Sequence, residues 1–473
     1  MIKRSFVYLI AFAFSISMFC QNEQEKKYSL EECIHIALEN NLSLKSTKNT
    51  AKSTKINYQQ SKANLLPNVN ANYNLGINNG RSIDPFTNDF INQQLTFSNA
   101  SLSLNATVFN GFRLLNTLKQ QRLNTQAANL EVEQEEQNLI LSVTLAYLQV
   151  LNSKDLLALN KQRLIATNKQ LKIQKDLFDE GRENPADYTD LLGQKSSDET
   201  NILSAEIALN NAKLSLTSLL NLQVKMDVSG DTFLLSLDKY KFTPNQVFND
   251  ALENLSTFKA SELRLESAKK GVSVAKAQYI PEISLFGGLN TNYSSAAETF
   301  TETGTTIAET GDFVSINNQN SPVLTNQTLY STQNINYLDQ FDNNFNSVIG
   351  FSVSVPIFNG FQAKNNVALE KVNVEESLIA LEQTELDIKN AIQQVHFDME
   401  AAFARYQSLK KQVVAFQKSF EINETRFNNG VSNFLAYITS KNNLENAKIN
   451  VSIAKYDYFL RVKVLEYYRG VNL

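Results

Sequence analysis

Two short stretches, Phe109-Asn110-Gly111-Phe112 and Phe358-Asn359-Gly360-Phe361, decide the architecture of this 473-residue chain. Each follows a run in which apolar and polar residues alternate, and each precedes a long run with helical spacing of its apolar residues. Alternation is typical of a strand with one apolar face, and spacings of three and four are typical of a helix. Each stretch therefore predicts an elbow between a strand and a helix, with Phe109, Gly111, Phe358 and Gly360 as its key residues.

The two elbows belong to a duplicated unit. Residues 37–40 (ALEN) recur as residues 251–254, and residues 66–69 (LPNV) correspond to residues 280–283 (IPEI), a shift of 214 positions. At the elbows the shift has grown to 249, so the second copy carries 35 more residues between its strands. A period of this size indicates duplication of a whole structural unit rather than a solenoid.

The duplication predicts the domain boundaries: a signal peptide over 1–20, a first repeat over 21–223, a linker or equatorial segment over 224–243 and a second repeat over 244–473. The fold class is mainly α with β, with four strands per chain and long coiled-coil helices. The elements expected in the first repeat are helices within 29–66, strands 67–79 and 100–109, and helices 110–180 and 186–222; those in the second are helices within 244–280, strands 281–293 and 348–358, and helices 359–429 and 434–467.

The N-terminus predicts export. Lys3 and Arg4 precede an apolar run and a region of small residues, which together indicate a secretory signal cleaved before Gln21. The alternative is a lipoprotein with Cys20 as its acylated first residue. Cys33 is then the one mature cysteine and is expected to be a packed thiol, so no disulfide is predicted.

The strand regions are almost free of charge. Arg81 is the only Lys or Arg between Lys62 and Arg113, and the segment between Lys276 and Lys364 holds no Lys or Arg. Strands of about ten residues with one apolar face, little charge and aromatic ends are typical of outer-membrane barrels. A soluble β-sandwich shows the same alternation, but the export signal and the lack of charge favour the membrane. Four strands cannot close a barrel, so they are expected to pair with other chains.

The remaining composition excludes other classes. The 44 basic and 48 acidic residues nearly cancel, so no nucleic-acid partner is expected. With two histidines far apart in the sequence, neither a metal site nor a cofactor is predicted. The chain also lacks a phosphate-binding loop and a convincing nucleophile, which argues against an enzyme. The insertion over 294–346 carries six acids and no base, and is expected to be a surface loop or, alternatively, a receptor or adhesion segment.

In its order of elements and its duplication the whole mature chain resembles the TolC-type outer-membrane efflux proteins, also called outer membrane factors. The resemblance implies a homotrimer in the outer membrane of a Gram-negative bacterium. Three chains would form a twelve-stranded transmembrane β-barrel in the outer membrane lipid and a hollow α-helical barrel in the periplasm. The trimer would serve as the exit duct for small molecules or proteins in a tripartite efflux or type I secretion system, with a periplasmic adaptor protein and an inner-membrane pump as partners.

The resemblance also suggests gate residues at the helical tip. Asp187 matches a family aspartate, whereas Phe427 stands where the family has the tyrosine that bonds to it. Ser432 stands in place of the family arginine. Ala436 and Thr439 stand in place of the paired aspartates that ring the entrance in the best-known member, so that acidic ring is missing here.

Asp187 and Asp190 are three residues apart and are expected on one helix face near this entrance. Three chains would assemble them into a ring that attracts cations. The alternative is that these acids cap the helix that begins near residue 186 and stabilise its dipole. The tip turns that the family resemblance assigns to adaptor docking contain Gly181, Arg182, Gly430 and Val431.

A secreted or surface coiled-coil protein with a structural or adhesive role and no pore is the competing interpretation. It accounts for the helices but not for the paired, nearly uncharged strands.

Overall fold

The computed structural model of the chain describes residues 26–83, 88–92, 94–181, 184–222, 226–229, 238–316 and 318–471. The expected signal peptide over 1–20, Cys20, Arg182 and much of the expected linker over 224–243 lie outside these ranges. The chain divides into two compact units: Met1–Lys55, Arg122–Glu266 and Val374–Leu473 form the first, and Ile56–Gln121 and Ser267–Asn373 form the second.

Helices account for most of the described residues. They are α1 (Leu30–Asn40), α2 (Leu42–Ala63), α3 (Arg113–Asp179), α4 (Pro185–Leu220), α5 (Pro244–Asn254), α6 (Ser256–Lys276), α7 (Tyr337–Asn343), α8 (Gln362–Asn428) and α9 (Phe434–Tyr468). The strands are β1 (Lys26–Tyr28), β2 (Asn68–Asn78), β3 (Arg81–Ile83), β4 (Phe90–Asn92), β5 (Leu95–Asn110), β6 (Met226–Val228), β7 (Glu282–Ser294), β8 (Glu298–Ile316), β9 (Gln319–Asn334) and β10 (Asn346–Ser354).

Equivalent capping boxes start both repeats. The Ser29 hydroxyl accepts a hydrogen bond from the Glu32 amide (3.2 Å), and the Glu32 carboxylate accepts one from the Ser29 amide (2.8 Å). Thr243 and Gln246 form the same pair at the start of α5. Each box satisfies two amides that the first helical turn leaves without an intrahelical partner.

Two of the hydrophobic cores in the first unit lie at equivalent places in the repeats. One core surrounds α1 and the middle of α3, and the other surrounds α5 and the middle of α8. Burial raises the pKa of the Cys33 thiol to about 12, as expected for a packed cysteine. The equivalent buried residues are Cys33 and Val247, Val143 and Ile392, and Leu216 and Leu465.

In the second unit the four long strands expected from the sequence form one antiparallel sheet in the order β10-β7-β5-β2. Among the described residues, β2 and β10 therefore each pair on one side only. The two edges of the sheet thus present backbone groups that could pair with further strands.

The register divides the sheet into an apolar face and a polar face. Exposed apolar side chains crowd the first: Leu75 is 65% exposed, Phe351 69% and Ile349 79%. We call it the apolar face; it comprises Val69, Ala71, Tyr73, Leu75 and Ile77 of β2, Ser98, Ala100, Leu102 and Leu104 of β5, Leu285, Leu289, Thr291 and Tyr293 of β7, and Ile349, Phe351 and Val353 of β10. Asparagine, serine and glycine dominate the opposite face.

The prediction of a strand over 348–358 is wrong at its C-terminal end. Strand β10 stops at Ser354, where its partner Glu282 is the first residue of β7. Pro356 has no amide to donate to a ladder, and Pro281 precedes β7 in the same way. The expected strand over 100–109 begins earlier than predicted, at Leu95.

The insertion over 294–346 is more ordered than the expected loop. Strands β8 and β9 pair as a long hairpin, and helix α7 follows it. Residues of both hairpin strands are largely exposed.

Both elbows adopt nearly the same backbone turn. Gly111 and Phe112 have φ angles of 66° and 61°, and Gly360 and Phe361 have φ angles of 62° and 63°. The phenylalanine rings on either side of each turn meet edge to face, with centroids 5.3 Å apart in the first and 5.5 Å apart in the second.

The two glycines provide a matched test of the elbow. Each substitution to alanine forces a left-handed backbone, which costs about 1–2 kcal/mol. At Gly111 the new Cβ would also lie 2.7 Å from Cβ of Ile280, whereas at Gly360, neighbours in sequence aside, none of the described residues comes within 4 Å of it. Gly111→Ala should therefore lower the thermal unfolding midpoint of the detergent-solubilised protein more than Gly360→Ala, as followed by circular dichroism. Equal shifts would contradict the close approach at Gly111.

Candidate functional site

The two helix hairpins of the first unit, α3–α4 and α8–α9, turn in the same way. Gly181 has a φ of 68° and its amide donates to the Phe178 carbonyl (2.9 Å). Gly430 has a φ of 72° and its amide donates to the Phe427 carbonyl (2.9 Å). A left-handed glycine just after the last helical residue satisfies carbonyls that the helix end leaves free.

Asparagines cap the helices that follow. The Asn184 side chain accepts from the Ala186 amide (3.1 Å), and the Asn433 side chain accepts from the Ala436 amide (3.0 Å). The side-chain cap of α4 is therefore Asn184 and not one of the acids considered for it. Asp187 lies in the first turn, where the helix dipole favours a carboxylate, and the exposed Asp190 lies one turn further on.

An aromatic stack closes each hairpin. Phe178 stacks on Tyr188 with ring centroids 5.2 Å apart, and Phe427 stacks on Tyr437 at 5.0 Å. Phe427 also meets Phe434 at 6.0 Å. Phe427 has no hydroxyl, so its side chain contributes ring packing to the hairpin.

The other expected tip residues show how the repeats have diverged. Applying the 249-position shift, Ala436 corresponds to Asp187 and Thr439 to Asp190. Ser432 and Ala436 are half-buried, Thr439 is exposed and Val431 is 66% exposed. Tip carboxylates therefore come from the first hairpin at these positions.

The sequence analysis missed a buried polar network behind the tip. Asp198 of α4 is fully buried and lies 2.8 Å from Nε of Arg163 on α3. That contact is made by Oδ1 of Asp198, which also accepts from the side-chain amide of Gln194 (2.8 Å). Oδ2 of Asp198 accepts from the Thr167 hydroxyl (2.6 Å). The buried Lys441 of α9 donates to the Thr167 hydroxyl (3.1 Å).

Further hydrogen bonds tie the first hairpin to α9. Arg163 donates to the side-chain oxygens of Asn446 (3.0 Å) and Asn442 (3.4 Å), and Asn442 donates to Gln194 (3.2 Å). Burial lowers the pKa of Lys441, while the negative charge of Asp198 opposes that shift. The network thus contains two cationic side chains around one central carboxylate.

A stripe of polar residues on α3 is the feature of the sequence that could have predicted this network. Arg163, Thr167, Gln170 and Gln174 follow one another at steps of four, three and four, which is the spacing of a core face, and all are buried. Gln170 accepts from the Tyr437 hydroxyl (3.3 Å), which connects this polar stripe to the aromatic stack. Burial raises the pKa of Tyr437 to about 12.

The described part of the chain contains neither a membrane-spanning helix nor a cluster of metal ligands. None of its helices combines the length and the hydropathy that crossing a bilayer requires. Within the same ranges, His, Cys, Asp and Glu do not gather in threes as a metal ion would need.

Comparison with known proteins identifies the family. The family model described as outer membrane efflux protein matches residues 33–222 and 247–466, one match in each repeat. The chain therefore belongs to the outer membrane efflux protein family. It is an efflux channel of the Gram-negative outer membrane rather than an enzyme, which favours a channel over the pore-free coiled-coil protein considered above.

Individual relatives are distant but cover most of the chain. Outer membrane protein TolC of Vibrio cholerae is 21% identical over 405 residues, 85% of this chain and 81% of the relative. TolC of Escherichia coli is 22% identical over 372 residues, 77% of this chain and 67% of the relative. Toxin and drug export protein A of Aggregatibacter actinomycetemcomitans is 21% identical over 359 residues, 76% of this chain and 69% of the relative.

Solved structures share the fold. A membrane protein from Pseudomonas aeruginosa superposes with a TM-score of 0.75 at 18% identity, covering 95% of this chain and 91% of that one. The outer membrane protein VceC of Vibrio cholerae superposes with a TM-score of 0.73 at 14% identity, covering 94% and 96%.

The buried network predicts unequal effects of removing its charges. Asp198→Asn removes the buried carboxylate that lies among the two buried cations Arg163 and Lys441, which should cost about 3–5 kcal/mol. Lys441→Met removes one buried cation and fills a similar volume, so it should cost little or stabilise the protein. The measurement is the thermal unfolding midpoint in detergent.

Asp190→Asn is the matched control, because it makes the same chemical change at an exposed position of the same helix. It should leave the midpoint unchanged. A midpoint as high for Asp198→Asn as for this control would contradict the role of the network.

Proposed function

We propose that this chain is one subunit of a homotrimeric outer-membrane duct, the exit of a tripartite efflux or type I secretion system. The observation that carries the proposal is the four-stranded sheet with an exposed apolar face and two edges unpaired within the chain. Contiguous exposed apolar surface of this kind marks a membrane or a partner.

The open edges require other copies. In lipid each unpaired backbone group costs several kcal/mol, so membrane sheets close into barrels. About eight strands are needed to enclose even a filled interior, and one chain offers four. The family resemblance implies three copies and hence twelve strands, with β10 of one copy beside β2 of the next.

The two faces suit lipid outside and water inside. Barrel strands alternate apolar residues toward lipid with polar residues toward a water-filled lumen. Asn70, Asn72, Asn99 and Asn290 lie on the polar face. Aromatic residues stand toward both ends of the apolar face, with Phe109 and the other elbow rings at one end and Tyr293 and Tyr337 toward the other. Interfacial belts of this kind are typical of membrane proteins.

The helix hairpins are the proposed periplasmic entrance. Their turns, at Gly181 and Arg182 and at Gly430 and Val431, would receive the periplasmic adaptor, which connects the duct to an inner-membrane pump. The exposed Val431 offers the adaptor an apolar contact. The exported substrate would be small molecules or proteins, and the pump would select it.

Asp187 and Asp190 would set the ion preference of the entrance. Three copies bring together six carboxylates, and a ring of like charge concentrates counter-ions at a narrow opening. The side-chain capping of α4 by Asn184 leaves the second of these acids, Asp190, free of a capping role.

Single-channel recording in planar bilayers tests this proposal. The protein should form channels that prefer potassium over chloride, and Asp187→Ala/Asp190→Ala should weaken that preference severalfold. Glu31→Ala/Glu39→Ala, which removes the same number of charges from exposed positions of α1, is the control and should keep it.

The possible failures are separable. Absence of channels from correctly folded protein would contradict the duct itself. Channels with an unchanged ion preference in the Asp187→Ala/Asp190→Ala variant would contradict only the role of the two acids.

A further inference from the structure

Helix α7 is fastened to the sheet by a dense set of hydrogen bonds. Gln340, 1% exposed, accepts from the Ser294 amide (2.9 Å) and donates to the Ser294 carbonyl (3.0 Å) and the Ile335 carbonyl (2.8 Å). The Thr291 hydroxyl donates to the Phe341 carbonyl (2.7 Å). These bonds hold α7 against the C-terminal end of β7.

The helix lies on the apolar face. The Tyr337 hydroxyl is 3.1 Å from that of Tyr73 and 3.0 Å from that of Ser98. Its ring packs on Tyr293 and Phe341, with centroids 4.8 Å and 4.5 Å away. Because Tyr73, Ser98 and Tyr293 belong to the apolar face, α7 covers one end of the surface that the proposed function assigns to lipid.

The position of α7 along the strands matches the height of a membrane. Strand β7 begins at Glu282, which pairs with Asn110 beside the first elbow, and meets α7 at Thr291. Nine residues at about 3.3 Å each extend about 30 Å along a strand. For a strand tilted by about 40° this corresponds to a height of about 23 Å, close to the apolar band of about 25 Å in outer-membrane barrels. The helix therefore lies where that band ends.

The outer side of α7 is exposed and amphipathic, because it presents Leu338 together with the acidic Asp339 and Asp342. Tyr337, Gln340 and Phe341 face the sheet, whereas Leu338 is 77% exposed and Phe345, just beyond the helix, is 57% exposed. Leu338 and Phe345 thus continue the exposed apolar surface of the sheet beyond the tyrosines. An apolar helix face at a bilayer boundary is typically buried about 5–10 Å below the headgroups.

We propose that α7 is an interfacial helix that binds the outer leaflet from outside the barrel, with Leu338 and Phe345 inserted among the lipids. This inference rests on the proposed function, because it takes the apolar face as the lipid-facing one. The β8–β9 hairpin joins α7 at Ile335, so the helix holds the base of this hairpin at the membrane surface. The partner that fits this surface is lipid.

The chain contains no tryptophan, so a single introduced tryptophan reports its own surroundings. Three single variants are compared after reconstitution of the full chain into phosphatidylcholine vesicles: Leu338→Trp on α7, Phe351→Trp in the middle of the apolar face, and Leu324→Trp on the hairpin. Each is measured with lipids brominated near the headgroup and with lipids brominated near the chain end. All three positions are exposed within the chain, which keeps the substitutions compatible with folding.

The expected result is graded by depth. Leu338→Trp should emit at a shorter wavelength in vesicles than in buffer and lose about twofold more fluorescence to the shallow bromine than to the deep one, as an interfacial position requires. Phe351→Trp should be quenched more strongly by the deep bromine. Leu324→Trp should emit like tryptophan in water and be quenched by neither.

The contrary results distinguish two failures. If brominated lipid quenches Phe351→Trp but not Leu338→Trp, the inference about α7 is wrong, because position 338 is then in water or covered by a neighbouring subunit. The proposed function as a duct is not contradicted by that result. If lipid quenches neither, the apolar face is not in the membrane and the proposed function fails with it.

Discussion

Two strands at the edges of the sheet carry backbone groups that the described part of the chain leaves without a ladder partner. Strands β2 and β10 end the sheet on either side, and the exposed apolar face between them suits an environment without water. An unpaired amide or carbonyl is tolerated in water but is expensive in hydrocarbon. The proposed pairing with other copies would satisfy these groups.

Because the structural unit is duplicated, the chain contains the same arrangement of strands and helices twice. Both repeats start with a capping box, pack a core at equivalent positions and turn from strand to helix through a glycine with a φ near 60°. The repeats differ at the hairpin tips and between their long strands. Tip carboxylates remain in the first hairpin, and the long hairpin β8–β9 and α7 interrupt the strands of the second repeat.

The regular parts of the fold were predictable because each depends on local chemistry. Period-two alternation identified the four long strands, and a Gly beside aromatic residues identified the elbows. Asn184 and Asn433 cap their helices in a way that sequence spacing can suggest. The polar turn residues and the uninterrupted leucine spacing likewise predicted the two helix hairpins, α3–α4 and α8–α9.

The parts that were missed depend on contacts distant in sequence. Strand β10 stops at Ser354 because its partner strand begins opposite it, which alternation within one strand cannot show. The insertion over 294–346 has too little apolar periodicity for strands, and its hairpin is held by backbone pairing alone along most of its length. At the tip, Arg163 and Asp198 meet across two helices, so neither residue predicts the other.

The number of copies and the pairing of the sheet edges test the account most directly. Single-particle imaging of the detergent-purified protein, with native mass spectrometry of the same sample, would measure both. The account predicts three copies arranged about a three-fold axis, with β10 of each copy hydrogen-bonded to β2 of its neighbour in a ring of twelve strands. A monomer, or an assembly in which these two edges stay unpaired, would contradict it.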